Sequence, residues 1–198
     1  LPEPDPAAWF FDFEGAPYAL EDGLEYLWGT WSADGFDGRW AFSRAQERAA
    51  LEDFLTRAVA RLEEAEGFHV YHFGQYEPSA LKRLVAIHGV GTAELDHLLK
   101  HRVFVDLHQI TVQSVRASVS SYSIKSLEEV VGFERDVPLK EAGRKRAELE
   151  AALTFGAFEK ITDAHRDAVR GYNEDDCRST QVLRDWLEAR RDEWARRG

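Results

Sequence analysis

The chain has 198 residues, 44% of them hydrophobic and 12% aromatic, with a formal net charge of −11. That supplies one globular domain with a sizeable core, and no apolar run approaches the roughly 20 residues needed to span a bilayer. A single cysteine, Cys177, excludes an internal disulfide framework and a cysteine-rich zinc site, and fits a reduced, cytoplasmic setting.

The opening LPEPDPAA (1–8) is proline-rich and reads as a linker. The first residue is Leu1 and the chain has no methionine. It is therefore expected to be part of a longer protein, with residues 9–198 as the domain. WFFDFE (9–14) reads as a buried strand ending in an acidic pair, stopped by Gly15, Ala16 and Pro17. EYLWGTWS (25–32) alternates and is aromatic, which suits a second strand. ADGFDG reads as a turn and RWAFS (39–43) as the third strand, closing a hairpin. From 44 to 66, Leu51, Phe54, Leu55, Val59 and Leu62 recur at helical spacing. FHVYHF (68–73) reads as a fourth strand. Pro78 suits the first turn of a helix running to Gly89. A short helix over 92–101 and a fifth strand, VFVDL (103–107), follow. Residues 108–123 are polar and serine-rich, with no clear period. SIKSLEEVV reads as a helix closed by Gly132. Residues 139–158 are helical, and a last helix spans 173–191 with Val182, Leu183, Trp186 and Leu187 as its apolar stripe. A hairpin followed by strand–helix alternation predicts an α/β fold, a mixed five-stranded sheet flanked by helices.

Two acidic clusters stand out. A strand has a side-chain period of two, so Asp12 and Glu14 point to one side. A helix brings i and i+4 onto one face, so Tyr172 and Asp176 point together. Carboxylates gathered in a fold repel unless a cation lies between them, and oxygen ligands suit Mg²⁺ or Mn²⁺. Asp-x-Glu alone is a common pattern in a chain with 36 acidic residues. Its place at the end of an apolar strand is more telling, because a charge there is costly unless paired or metal-bound. Glu77 follows the fourth strand and opens a helix, where a carboxylate also complements the helix dipole. His69 and His72 have no partner at ligand spacing. The net charge argues against a polyanion partner, but KHR (100–102) and GRKR (143–146) are basic clusters within the acidic whole.

In this order, a strand-end Asp-x-Glu, an acid after a later strand and a late Tyr-x-x-x-Asp resemble the DEDD exonucleases of the DnaQ-type, ribonuclease-H-like superfamily, tyrosine subclass. YHFGQYEPSALKRL, VDL, SYSIKSLEEVVGF and GYNEDDCRST further resemble the ribonuclease-H-like domains found with RecB-type nucleases and helicases. The resemblance covers roughly residues 9–188. It implies a ribonuclease-H-like fold and a 3′–5′ exonuclease acting on single-stranded DNA or RNA, DNA favoured. It further implies two divalent cations, Mg²⁺ or Mn²⁺, held by Asp12, Glu14, Glu77 and Asp176. Two such cations about 3.5–4 Å apart activate the attacking water and stabilise the departing 3′ oxygen. Tyr172 matches the tyrosine that orients that water. The family has Asp where this chain has Glu77, so that ligand binds directly or through water. The histidine subclass needs His five residues before the last Asp, and position 171 is Gly. Phe13 and Tyr76 are candidates to stack on a base, and Ser121 and Lys125 to approach phosphates. Other domains of a parent chain, a RecB-type nuclease or helicase, are the expected protein partners. Two alternatives remain open: a degenerate nucleic-acid-binding or scaffold domain, and a ribonuclease-H-like endonuclease.

Overall fold

The computed structural model describes residues 1–65 and 67–196. Strands β1 (Trp9–Ala16), β2 (Leu24–Ser32), β3 (Gly35–Trp40), β4 (Val70–His72) and β5 (Phe104–Asp106) form one sheet in the order β3-β2-β1-β4-β5. The hairpin half is antiparallel, whereas β4 and β5 run parallel to β1. Among the described residues seven α-helices flank the sheet: α1 (Arg44–Glu64), α2 (Tyr76–His88), α3 (Thr92–Lys100), α4 (Leu107–Ser114), α5 (Ile124–Val131), α6 (Leu139–Thr154) and α7 (Asp163–Ala195). The mixed five-stranded α/β sheet expected from the sequence is the observed one. No helix among the described residues is long and apolar enough to cross a membrane.

The alternation along β1 divides its side chains between two layers. Trp9, Phe11 and Phe13 join Trp28 and the apolar faces of α1, α2 and α3 in one core cluster. On the other face Phe10 belongs to a cluster with Tyr71, Leu127, Cys177 and Leu183. Ala16 belongs to a second one with Tyr26, Leu27, Leu149 and Val169. Asp12 and Glu14 occupy the stretch of β1 between these two clusters. The α7 face of the sheet is therefore apolar at both ends and acidic in the middle.

Four sequence expectations need correction. The third strand starts at Gly35, not Arg39, and ends at Trp40. The two glycines of GFDG lie within the strand for different reasons: Gly35 opens it at a φ of 97°, and Gly38 is required by close packing. Gly38 pairs with Gly29, and a Cβ on Gly38 would press into the Phe36 ring, which also lies against Gly29. Residues 108–123 do not form one irregular stretch. Asp106 accepts the backbone N–H groups of His108 (2.9 Å) and Gln109 (3.2 Å) and so caps α4. The last helix begins ten residues before Asn173. Gly171, which looks like a breaker, sits mid-helix because a Cβ there would meet Val137. The helix expected over 139–158 ends at Thr154, with a short 3-10 turn at Phe158–Lys160. The expected end of the first helix at Glu66, and positions 197 and 198 of the expected domain, lie outside the described residues.

Candidate active site

The site is built where α7 crosses the central strand. Asp12 pairs in register with Gly29 of β2, and Glu14 with Leu27. Because position 29 has no side chain, Asn173 can lie directly over the sheet. A Cβ on Gly29 would collide with the Asn173 amide. From that seat Asn173 Nδ2 donates to Asp12 Oδ2 at 2.8 Å. Asn173 is fully buried, and its Oδ1 has no partner. One turn further along α7, Asp176 faces the same two carboxylates. One oxygen from each of Asp12, Glu14 and Asp176 lies within 4.8 Å of the other two.

The adjacent Asp175 points elsewhere. It accepts the backbone N–H of Val137 at 3.0 Å and thereby ties the 133–138 segment to α7. The same segment sends Arg135 back to Asp176 and to Glu128, the latter with Nε donating at 2.9 Å. Arg146 of α6 lies 3.4 Å from Glu14 and 3.3 Å from Glu150.

Burial and mutual repulsion dominate the electrostatics. Burial raises Asp12 well above the usual carboxylate range, with the charges of Asp176, Glu14 and Glu77 adding to the rise. Glu14 is pushed up to about 8 by burial and then by Asp176, against the opposing pull of Arg146. Like charges packed together disfavour ionisation unless a cation neutralises them. Tyr172 is buried beside Asp176, and both effects raise its hydroxyl above 10 despite Lys125. At neutral pH it is a hydrogen-bonding group and not a base.

Glu77 stands outside the 4.8 Å group. It lies in the first turn of α2, buried, with its Oε2 3.5 Å from His72 Nδ1 and without a hydrogen-bond partner. The turn that delivers it is fixed by Asp106, which accepts from Gly74 N (3.0 Å) and Gln75 Nε2 (2.7 Å). Its charge reaches Asp12, so Glu77 borders the cluster without closing it.

The four candidate substrate residues scatter. Phe13 is on the opposite face of the sheet from the carboxylates, packed edge-on against Trp28 at 4.6 Å, and has no open face for a base. Tyr76 is 52% exposed, but its hydroxyl is tied to Glu25 at 2.8 Å. Ser121 is exposed and contacts Ser126 Oγ at 3.1 Å. Lys125 alone reaches the site, with Nζ 5.0 Å from the centre of the Tyr172 ring.

Asn173, Arg135 and Gly29 were not legible as site residues. Asn173 sits inside the GYNEDD run, but nothing local reveals a partner 161 positions away. Arg135 lies in a segment with no periodicity. Arg146 was visible only as part of the 143–146 basic run.

The donor set fits hard divalent cations. Three convergent carboxylates, two of them made weaker acids by burial and mutual repulsion, form an oxygen-only site, with the unpartnered Glu77 oxygen at its border. A family model described as the RNase_H superfamily matches residues 9–188. No curated protein and no solved structure matches the chain.

Proposed function

We propose that this chain, which belongs to the RNase_H superfamily, is a metal-dependent 3′–5′ exonuclease that hydrolyses phosphodiester bonds of single-stranded nucleic acid, DNA favoured. The superfamily membership supports nuclease-type chemistry. The observation that carries the finer reading is the meeting of Asp12, Glu14 and Asp176 within 4.8 Å, with Tyr172 one turn before Asp176.

Asp12, Glu14 and Asp176 would hold the divalent cations, with Glu77 completing the set from its edge. Bound there, such cations supply an activated water and charge stabilisation at the departing oxygen. Asn173 fixes the Asp12 carboxylate through its amide. Tyr172, kept neutral by its burial, orients the water by a hydrogen bond. The water oxygen bonds to phosphorus, the bond from phosphorus to the 3′ oxygen breaks, and that oxygen gains a proton. The products are a nucleoside 5′-monophosphate and a strand shortened by one residue with a new 3′-hydroxyl.

The position of Glu77 outside the carboxylate group favours one second reading, a non-catalytic nucleic-acid-binding domain. Incubation with 3′- and 5′-labelled single strands, with Mn²⁺ or with chelator, separates these. Mononucleotides released from the 3′ end only with Mn²⁺ are expected. Internal fragments would make the protein an endonuclease. Retention of an uncut strand would favour the binding domain.

A further inference from the structure

We propose that Lys125, Arg135 and Arg146 form an anion site that holds the backbone phosphates of a nucleic-acid strand against the carboxylate centre, and that two of these cations are occupied by Asp176 and Glu14 until metal arrives. This inference rests on the nuclease reading above.

Three elements contribute one cation each, and all three converge on a single ring. Lys125 of α5, Arg135 of the 132–138 connection and Arg146 of α6 lie 5.0, 5.2 and 5.3 Å from the centre of Tyr172. Cations gathered this closely repel one another, so their assembly needs anions. Glu128 pairs with Arg135, and Glu150 with Arg146. The remaining anions are Asp176 on Arg135 and Glu14 on Arg146, with Asp176 also the strongest attraction on Lys125. Asp176 and Glu14 are two of the three clustered carboxylates. A divalent cation there would neutralise them and leave the arginines short of counter-charge.

Arg135 carries the most direct sign of such a role. Its side chain is only 7% exposed, yet Nη1 has no hydrogen-bond partner. A buried donor left unmade is costly, about 1–3 kcal/mol. Guanidinium groups match phosphate oxygens with paired donors, and an ammonium adds a point charge. Lys125 is exposed, so the group opens to solvent where a strand could enter. The arrangement also accounts for a polyanion partner on a chain of net charge −11. The attraction is concentrated at the centre and released on metal loading.

The test is binding, read by fluorescence anisotropy of a labelled single DNA strand. The chain is measured in Ca²⁺, used in place of Mn²⁺ to suppress cleavage, and in chelator, over a range of salt. The expected result is tighter binding in Ca²⁺ than in chelator. In Ca²⁺, Lys125→Gln and Arg146→Gln should each flatten the plot of log affinity against log salt by about 0.7, whereas Lys100→Gln on α3 should leave it unchanged. Lys125 is exposed, so its variant keeps the fold even if an arginine variant does not. Unchanged slopes for Lys125→Gln and Arg146→Gln would overturn the anion site. Unlabelled strand should displace the probe, and displacement by inorganic phosphate at equal phosphate concentration would overturn the backbone assignment. In chelator, Asp176→Asn should bind the strand more tightly than wild type, and Arg135→Gln in that background should cancel the gain. No gain would overturn the occupancy of Arg135 by Asp176. Calorimetry with Mn²⁺ distinguishes the levels: no uptake by wild type defeats the nuclease reading itself, whereas uptake with unchanged slopes defeats the anion site alone.

Discussion

Two regions of the molecule bury carboxylates, and they do so in opposite ways. On the α1–α2 side of the sheet, Glu47 is fully buried and surrounded by donors. It accepts from the backbone N–H of Glu25, from Arg44 and from His88, each at 2.8 Å. Glu25 beside it accepts from Tyr76 at 2.8 Å and from Arg83. Burial raises Glu25, but Tyr76 and Arg83 pull against the rise. On the α7 side, the nearest charged neighbours of Asp12, Glu14 and Asp176 include one another. The first region pairs each acid with cationic, hydroxyl or backbone donors, leaving, among the described residues, only Glu25 Oε2 and Arg83 Nη1 of that network without a partner. The second packs three carboxylates against one another, and its arginine partners reach only Asp176 and Glu14. Burial of an acid is therefore not the mark of a metal centre; the identity of its neighbours is.

The comparison can be broken from either side. Glu47→Ala leaves Arg44, His88 and a backbone donor without their partner. It should cost about 3–5 kcal/mol in chemical denaturation, with or without divalent cation. An unchanged denaturation midpoint would show that this network is not structural. Asp12→Asn should lower Mn²⁺-dependent strand cleavage by about 10²–10³-fold. Its stability in chelator should not fall, because a repelling charge has been removed. A destabilised but active variant would reverse the assignment of the two regions. Asn173→Ala, which frees the Asp12 carboxylate without touching its charge, should weaken Mn²⁺ uptake about tenfold in calorimetry. Equal affinity would mean that Asp12 needs no support from α7.

The smallest effect is a slope. Glu14 is raised from 4.5 to about 8 in the folded protein. Between those values the folded chain holds a proton that the unfolded chain has lost. Stability in chelator should therefore decline as pH rises through this window, by up to about 1.4 kcal/mol per pH unit. Glu14→Gln should flatten the decline, as followed by denaturation midpoints at several pH values. Stability rising with pH across the window would contradict the repulsion at the α7 face.

Local pattern carried most of the fold. The aromatic run of β1, the spacing along α1 and the glycine that closes α5 each encode their element within a few residues. The clearest misplacement has a tertiary cause. Gly171 looks like a break, but it is small because Val137 of the 133–138 segment packs on it. Such demands come from tertiary contact and leave no periodic trace. The same limit governs the site. Asp12, Glu14, Tyr172 and Asp176 could be singled out because strand and helix periods pair them locally. Asp175 and Asp176 are indistinguishable in sequence, yet one ties down the 133–138 segment and the other faces the carboxylates. Phe13 adjoins Asp12 in the chain, and the strand alternation sends it to the opposite core.

The most direct test of a cation-holding centre is calorimetric titration of Mn²⁺ into chelator-treated, desalted protein near pH 8, wild type against Asp176→Asn. Saturable uptake by the wild type and its loss in the variant are predicted. Equal uptake by both, or none by the wild type, would contradict the convergence of these carboxylates on a metal.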